Sequence, residues 1–314
     1  MERAALLRSR VRQLELRTRR LASDALAGAY RSSFRGSGIE FDEVRPYLAG
    51  DDVRTIDWNV TARTGEPHIK RFAEDRQLRL HLVLDASPSM DFGTGELTKR
   101  EAAAELVGLI AATAAKQRDP VALELFGARL ASGELGHVAP GQGGPHVLRL
   151  LRAALEARET SDVAQADAVA RGPRLGFEHT LEELARVLRR RSLVVLISDF
   201  EDLVGESWRP ALERLGARHD LVLARVFDPF EEDLPDAGVV RLCDREEGGV
   251  HEIDTSSRRV RALWHERARE RRERLVAAAA HARGEVLEID ASRPVLEPLL
   301  NLFQRRVRQR GGRL

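Results

Sequence analysis

The sequence predicts an α/β protein built on a doubly wound, mostly parallel sheet with helices on both faces. Two observations predict this class. Short apolar runs alternate with helical segments through residues 77–314, as expected when each strand is followed by a covering helix. Several apolar runs also end abruptly in an aspartate, at Asp85, Asp199 and Asp228. This pattern is typical of buried strands that open into polar loops.

Composition limits the functions that this chain can have. Its 314 residues, with 43% hydrophobic and 32% charged content, are expected to form one sizeable domain and a smaller one. The net charge of +1 argues against a nucleic-acid partner. Cys243 is the single cysteine, so a disulfide within the chain is excluded and a cytoplasmic location is expected. The apolar stretch 102–115 is too short for a transmembrane segment.

Residues 1–29 are predicted to form an amphipathic N-terminal helix. Leu7, Val11 and Leu14 lie near heptad spacing, with arginines between them. We expect the apolar side to pack against a partner surface and the basic side to face water. Peripheral contact with an acidic membrane is the alternative that a basic helix leaves open.

Residues 30–76 are predicted to form a small β-rich module. Glycines and prolines separate short alternating runs, a pattern that favours strands and turns over helices. The module is dense in charges of both signs. They fit surface ion pairs or a face that docks another protein equally well.

Strands and helices are then expected to alternate through the third segment, residues 77–314. Apolar runs predict strands at 78–84, 121–126, 192–198, 221–227 and 285–289, with edge strands at 239–242 and 250–253. Periodicity and end signals predict helices at 98–118, 146–157, 180–190, 208–217, 257–283 and 295–309. Thr98 with Glu101, and Thr180 with Glu183, have the spacing of a capping box.

Five polar side chains are predicted to meet in one crevice. Asp85, Ser87 and Ser89 follow the first strand, Thr180 begins a later helix, and Asp199 ends the strand after it. In open parallel sheets, ligands bind beyond the carboxyl ends of strands, where the strand order reverses. Hydroxyl and carboxylate oxygens are hard donors that suit Mg²⁺. The sequence therefore predicts a Mg²⁺ or Mn²⁺ site, although each residue alone could be a cap or a loop polar group.

Two resemblances sharpen this prediction. Asp85-Ala-Ser87-Pro-Ser89-Met, with Thr180 and Ser198-Asp199, resembles the metal-ion-dependent adhesion site of von Willebrand factor A domains. Segments upstream resemble the bacterial domain-of-unknown-function family 58, namely Phe34-Arg-Gly-Ser-Gly-Ile-Glu-Phe41, Val44-Arg-Pro-Tyr47, Gly50-Asp-Asp-Val-Arg54, Ile56-Asp-Trp58 and His68-Ile-Lys-Arg-Phe72. The resemblance implies a von Willebrand factor A-like sheet that carries one divalent cation. Ser87, Ser89 and Thr180 would be its hydroxyl ligands, and Asp85 and Asp199 would bind it directly or through water.

The resemblance also implies a function. It implies a non-enzymatic protein-interaction module in which a partner's Asp or Glu completes the metal site. Because that family is often encoded beside MoxR-type AAA+ ATPases, the implied partners are such an ATPase and a client protein undergoing maturation or assembly.

Two alternatives remain open at this stage. The first is a Mg²⁺-dependent phosphohydrolase of the haloacid-dehalogenase type with Asp85 as nucleophile. Ser87 weakens it, because that family has a second aspartate at this position. The other alternative is a purely structural sheet whose crevice binds nothing.

Overall fold

The computed structural model describes residues 2–34, 40–48, 51–73, 77–126, 136–156, 176–201, 207–243 and 249–311. The chain divides into two compact units. One unit is Phe34–Leu78, and the other combines Met1–Ser33 with Arg79–Leu314. Residues 158–175, between the predicted helices at 146–157 and 180–190, lie outside the described residues.

A six-stranded sheet forms the centre of the larger unit. Its strands are β3 (Leu80–Asp85), β4 (Val121–Phe126), β5 (Gly136–Gly141), β6 (Leu193–Ser198), β7 (Asp220–Phe227) and β10 (Glu285–Asp290). Their order is β10-β7-β6-β3-β4-β5. Only β5 is antiparallel to its neighbour within this sheet. The prediction of an α/β fold with a mostly parallel sheet is confirmed.

Helices supply the layers that bury this sheet. The helices of the larger unit are α1 (Glu2–Leu21), α2 (Asp24–Phe34, whose last residue lies in the smaller unit), α4 (Lys99–Lys116), α5 (Gly144–Glu156), α6 (Phe177–Val187), α7 (Arg209–Arg218), α8 (Pro229–Glu232), α9 (Arg258–His281) and α10 (Leu296–Gly311). Apolar residues of α6, α7 and α9 share one core with Val83, Val194 and Leu223 of the sheet. The intervening residues Leu82, Leu84 and Val195 point to the opposite face and are also buried. This explains why the central strands are apolar throughout.

The N-terminal segment forms two helices rather than the predicted single one. The chain breaks after Leu21, and the Ser23 hydroxyl accepts a hydrogen bond from the Leu26 amide at 3.3 Å, which is how a serine begins a helix. The partner surface of α1 lies within the chain, because α1 packs against α4 and α5. Arg10 and Arg17 of α1 pair with Glu101 and Glu105 of α4 at 2.7 and 3.1 Å.

The smaller unit contains β1 (Glu40–Pro46) and β2 (His68–Ala73), which pair antiparallel. Between them lies α3 (Trp58–Thr64), a short helix absent from the predicted β-rich module. Asp57 begins α3 by accepting hydrogen bonds from the Asn59 and Val60 amides. Gly65 ends it with φ of 79°, a left-handed conformation that favours glycine.

The prediction of short edge strands at 239–242 and 250–253 is confirmed. The structure has strands here, β8 (Val239–Cys243) and β9 (Val250–Asp254), but they form a separate two-stranded antiparallel sheet. Their short apolar runs are compatible with either arrangement, because side-chain pattern alone does not specify the partner of a strand.

Candidate metal centre

The candidate site lies where β3 and β6 are parallel neighbours. The strand order reverses here, since β3 is followed by β4 on one side and flanked by β6 on the other. Leu84 is in register with Ile197, so the residues that follow them, Asp85 and Ser198, also meet. The Ser198 hydroxyl donates to Asp85 Oδ2 at 2.5 Å. Asp85 and Asp199 are 5% and 6% exposed, which places two carboxyl groups in a nearly dry crevice.

Ser87 and Ser89 lie in the loop directly after Asp85. The Ser87 amide donates to Asp85 Oδ1 at 2.9 Å, and the hydroxyls of the two serines are 2.9 Å apart. A hydrogen bond from Ser89 to Asp199 closes the group and helps to lower the pKa of Asp199. The structure thus brings four of the five predicted ligands into one hydrogen-bonded set.

Thr180, the fifth predicted ligand, is placed differently. Helix α6 begins at Phe177 with Gly176 before it, so the prediction that Thr180 caps this helix is wrong. Thr180 lies inside the first turn, and its hydroxyl donates to the Gly176 carbonyl at 3.2 Å. Within the described part of the chain, this hydroxyl is not bonded to any of the other four predicted ligands.

An aromatic cluster brings the beginning of α6 to the same end of the sheet. The ring of Phe177 lies 5.4 Å from that of Phe126, the last residue of β4. It lies 5.9 Å from Phe200 and 6.0 Å from Trp208, which both follow β6. Phe200 has φ of 57°, an uncommon conformation for a bulky residue. Thr180 is one turn further along α6 from this cluster.

Lys99 is a component of the site that the sequence analysis missed. It is the first residue of α4 and is 0% exposed. Its ammonium donates to Asp199 Oδ2 at 2.8 Å and to Glu231 Oε1 at 2.5 Å. A lysine at a helix N-terminus has no local feature that predicts this burial, and its partners lie 100 and 132 residues further along the chain.

The carboxyl groups of Asp85 and Asp199 differ in the charges that lie beside them. Burial, together with the negative charge of Asp199, raises the pKa of Asp85 to about 7, although Ser198 and Ser87 donate to it. Burial also acts to raise the pKa of Asp199, but the Lys99 ammonium outweighs it and the pKa is lowered. Asp199 is therefore already paired with the Lys99 ammonium, whereas a positive charge bound beside Asp85 would be stabilised.

Arg100 holds the serine loop in place. It is 1% exposed, and its guanidinium donates to Asp91 at 2.6 Å and to the carbonyls of Ser87 and Ala86 at 2.8 and 3.3 Å. The Ser87 carbonyl also accepts a hydrogen bond from the Met90 amide at 3.2 Å, so the guanidinium reinforces a turn that the backbone itself closes. The loop geometry that aligns the two serines therefore depends on α4.

Asp228, at the end of β7, serves a structural role beside the site. It accepts hydrogen bonds from the Thr94 amide and hydroxyl, both at 2.7 Å, and from the Phe230 amide at 2.9 Å. It also forms a capping box with Glu231, the second partner of Lys99. Asp228 thus fixes the elements that hold Lys99.

The donor set fits a hard divalent cation. It offers two carboxyl groups and two serine hydroxyls, and a cation would offset the burial and the charge of Asp199 that raise the pKa of Asp85. Across the described ranges, no three His, Cys, Asp or Glu side chains are placed to share a metal ion. Any metal held at this site would depend on the hydroxyls as well as the carboxylates.

Comparison with known proteins identifies the family. The profile described as "Protein of unknown function DUF58" matches residues 43–274. The chain belongs to the DUF58 family. This DUF58 protein is 36% identical over 248 residues to the uncharacterized proteins Rv1480 of Mycobacterium tuberculosis and Mb1516 of Mycobacterium bovis. The matches cover 79% of this chain and 73% of each relative.

Two solved structures resemble the DUF58 protein more distantly. BatB from Bacteroides thetaiotaomicron and an aerotolerance-related membrane protein from Bacteroides fragilis each align with 74% of this chain at 14% identity. The alignments cover 99% of each of the two Bacteroides chains, and the TM-scores are 0.44 for BatB and 0.42 for the aerotolerance-related protein. Among the helices that the structure describes, none combines the length and apolarity needed to cross a membrane.

Proposed function

We propose that this DUF58 protein is a non-enzymatic protein-interaction module that depends on one divalent cation, Mg²⁺ or Mn²⁺. Asp85, Ser87, Ser89 and Asp199 would hold the ion, with Thr180 as the fifth predicted ligand. The supporting observation is that the first four form one hydrogen-bonded set at the ends of adjacent parallel strands. This is the position at which open α/β sheets bind ligands.

The chemistry of the donors supports binding of a partner carboxylate rather than catalysis. Neutral hydroxyls leave much of the charge of the cation unbalanced, and Mg²⁺ usually retains water ligands that another oxygen can replace. An Asp or Glu side chain of a partner would supply that oxygen and add negative charge. Binding would then depend on both the metal and the acidic residue of the partner.

The resemblance of the sequence motifs supports a more specific proposal about the sheet and about the partners. A von Willebrand factor A-like arrangement of the sheet is supported by the position of the Asp-x-Ser-x-Ser loop at the reversal of strand order. The partners we propose are a MoxR-type AAA+ ATPase and a client protein that offers Asp or Glu. The role of the ATPase would be in maturation or assembly of the client.

Calorimetric titration of Mg²⁺ into wild type and Asp85→Asn tests the metal site. We expect the substitution to weaken binding by about 100-fold or more, because it removes a charged ligand and metal affinity falls by tenfold or more even for supporting residues. Asp290→Asn is the matched control. Asp290 also ends a parallel strand of the same sheet, but β7 separates β10 from β6, so binding should be unchanged.

A repeat with acetate or a glutamate-containing peptide tests the partner carboxylate. The proposal expects the carboxylate to tighten Mg²⁺ binding in wild type and not in Asp85→Asn. Absence of metal binding in wild type would contradict the proposal. Metal-dependent hydrolysis of a phosphate ester that is lost in Asp85→Asn would instead establish the phosphohydrolase alternative.

A further inference from the structure

Lys99 places a positive charge against the proposed metal site from inside the protein. Its side chain is 0% exposed, although lysine is almost never fully buried unless it is paired. The ammonium bridges two carboxylates, Asp199 at 2.8 Å and Glu231 at 2.5 Å. Neither carboxylate is close to Lys99 in the sequence, so the fold has assembled this contact from three separate elements.

The contact engages the same carboxylate that the metal would use. Asp199 Oδ1 accepts a hydrogen bond from the Glu201 amide at 3.2 Å, and Oδ2 accepts one from Lys99. A cation that binds Asp199 through either oxygen therefore shares the negative charge of this carboxylate with the ammonium or displaces it. Because the region is buried, the repulsion between the two cations is weakly screened.

Glu231 is the second carboxylate that the Lys99 ammonium contacts. It lies in α8, where Asp228 caps the helix and the Trp264 indole donates to the Glu231 carbonyl at 2.9 Å. This rigid support keeps a carboxylate beside Lys99 whether or not Asp199 is available. Without it, release of Asp199 would leave the buried ammonium with only the nearby charge of Glu201 and, among the described residues, no carboxylate hydrogen-bonded to it directly, which is unfavourable.

We infer that Lys99 is an internal cation that competes with the divalent metal for Asp199, and that Glu231 retains the ammonium when Asp199 binds the metal. This inference rests on the proposed function of the site. It makes Lys99 a residue that sets metal affinity without touching the metal. In the free protein Lys99 balances the buried aspartate, and in the metal-bound protein it is paired with Glu231.

Two variants should move metal affinity in opposite directions. Lys99→Met keeps an unbranched side chain but removes the charge, so Mg²⁺ should bind about tenfold or more tightly in calorimetry. Its melting temperature should fall in a chelator and recover with Mg²⁺. Glu231→Gln leaves Lys99 with Asp199 as its charged partner, so Mg²⁺ should bind more weakly than in wild type. If Lys99→Met does not fold, Glu231→Gln carries the test.

A double-mutant cycle separates the two roles of Glu231. If Glu231 acts through Lys99, then Glu231→Gln should have little effect on Mg²⁺ affinity in the Lys99→Met background. Equal effects in both backgrounds would mean that Glu231 attracts the metal directly, and would overturn this part of the inference. Unchanged or tighter binding by Glu231→Gln alone would overturn it as well.

The outcomes distinguish this inference from the proposed function. If wild type binds Mg²⁺ and Lys99→Met binds no more tightly, the competition is refuted and the metal site stands. If neither protein binds Mg²⁺, both are refuted. Binding by Lys99→Met but not by wild type would support the competition and contradict metal binding as the function of the natural protein.

Discussion

Two consecutive buried cations shape the loop after β3. Lys99 and Arg100 are 0% and 1% exposed, and basic residues are seldom buried so completely without partners. Lys99 balances carboxylates, whereas Arg100 binds Asp91 and backbone carbonyls. The charge of the crevice and the shape of its loop are therefore set by adjacent residues of one helix.

Replacement of Arg100 should destabilise the protein strongly. Arg100→Met removes the ion pair with Asp91 and the guanidinium donors to the Ser87 and Ala86 carbonyls, and loss of hydrogen bonds made by a buried charged group costs about 1.5–3 kcal/mol. Urea unfolding measures the change. Arg152→Met is the control, because Arg152 is 60% exposed and its 3.6 Å pair with Glu156 should contribute less than about 1 kcal/mol. Equal losses of unfolding free energy in the two variants would show that the burial of Arg100 does not contribute to stability.

The local sequence pattern predicts only some of the residues that form the site. Asp85, Ser87 and Ser89 are predictable because a strand end and its loop are continuous in sequence. The position of Asp199 beside them follows from the convergence of parallel strand ends. Lys99, Arg100 and Glu231 are not predictable in this way, because their roles depend on contacts between distant elements that no spacing records.

Helix boundaries explain why Thr180 differs from its prediction. Thr180 and Glu183 have the spacing of a capping box, but α6 begins one turn earlier, at Phe177. The aromatic contacts of Phe177 with Phe126 and Trp208 accompany this earlier start. Tertiary packing can outweigh a local capping signal, whose stabilisation is about 1 kcal/mol. The pattern at Thr98 and Glu101 does form a capping box, at the start of α4.

The contact between α7 and the end of α9 depends on a glycine. A Cβ atom on Gly216 would lie 1.7 Å from the carbonyl oxygen of Ala282. Gly216→Ala should therefore destabilise the protein by about 2 kcal/mol or more, since the obstruction is backbone and cannot rotate away. Thermal unfolding measures the effect.

A second helical glycine provides the control for this prediction. A Cβ atom on Gly28 of α2 would meet no atom within 4 Å. Gly28→Ala should stabilise the protein by about 0.5–1 kcal/mol, because alanine loses less backbone entropy in a helix. A stabilising effect of Gly216→Ala would show that the two helices can separate without cost.

The order of the strands organises the whole molecule. The reversal between β3 and β6 places the carboxyl ends of two strands that are buried along almost their whole length together. The continuous apolar runs and their alternation with helices predict this class of sheet. They do not predict that β8 and β9 form a sheet of their own, because the strands of a separate antiparallel pair and the edge strands of a larger sheet have the same local pattern.

Acid should destabilise the molecule through His81. Burial, with the positive charges of His219 and His137, lowers the pKa of His81 to about 4. Because the unfolded chain binds the proton more readily, stability is full above about pH 6.5 and falls as the pH drops towards 4. Between pH 7 and 5 this single group should remove about 2 kcal/mol from the free energy of unfolding.

Urea unfolding of His81→Gln at both pH values tests this expectation. The variant should lose less stability than wild type over the same interval, although His219, whose pKa burial also lowers, still contributes. His265→Gln is the control, since His265 is a surface residue of α9 with 57% of its side chain exposed, and it should keep the wild-type dependence. Parallel pH profiles for all three proteins would refute the role of His81.

The first two turns of α4 face two regions of the molecule. Lys99 and Arg100 enter the crevice at the strand ends, whereas Glu101 and Glu105 bind the arginines of α1. A helix advances 1.5 Å and about 100° per residue, so its successive side chains move together as one rigid piece. A displacement of α1 that moves α4 should therefore also move Lys99 and Arg100 in the crevice. The contacts of Arg10 and Arg17 thus connect the N-terminal helix to the candidate metal site by way of α4.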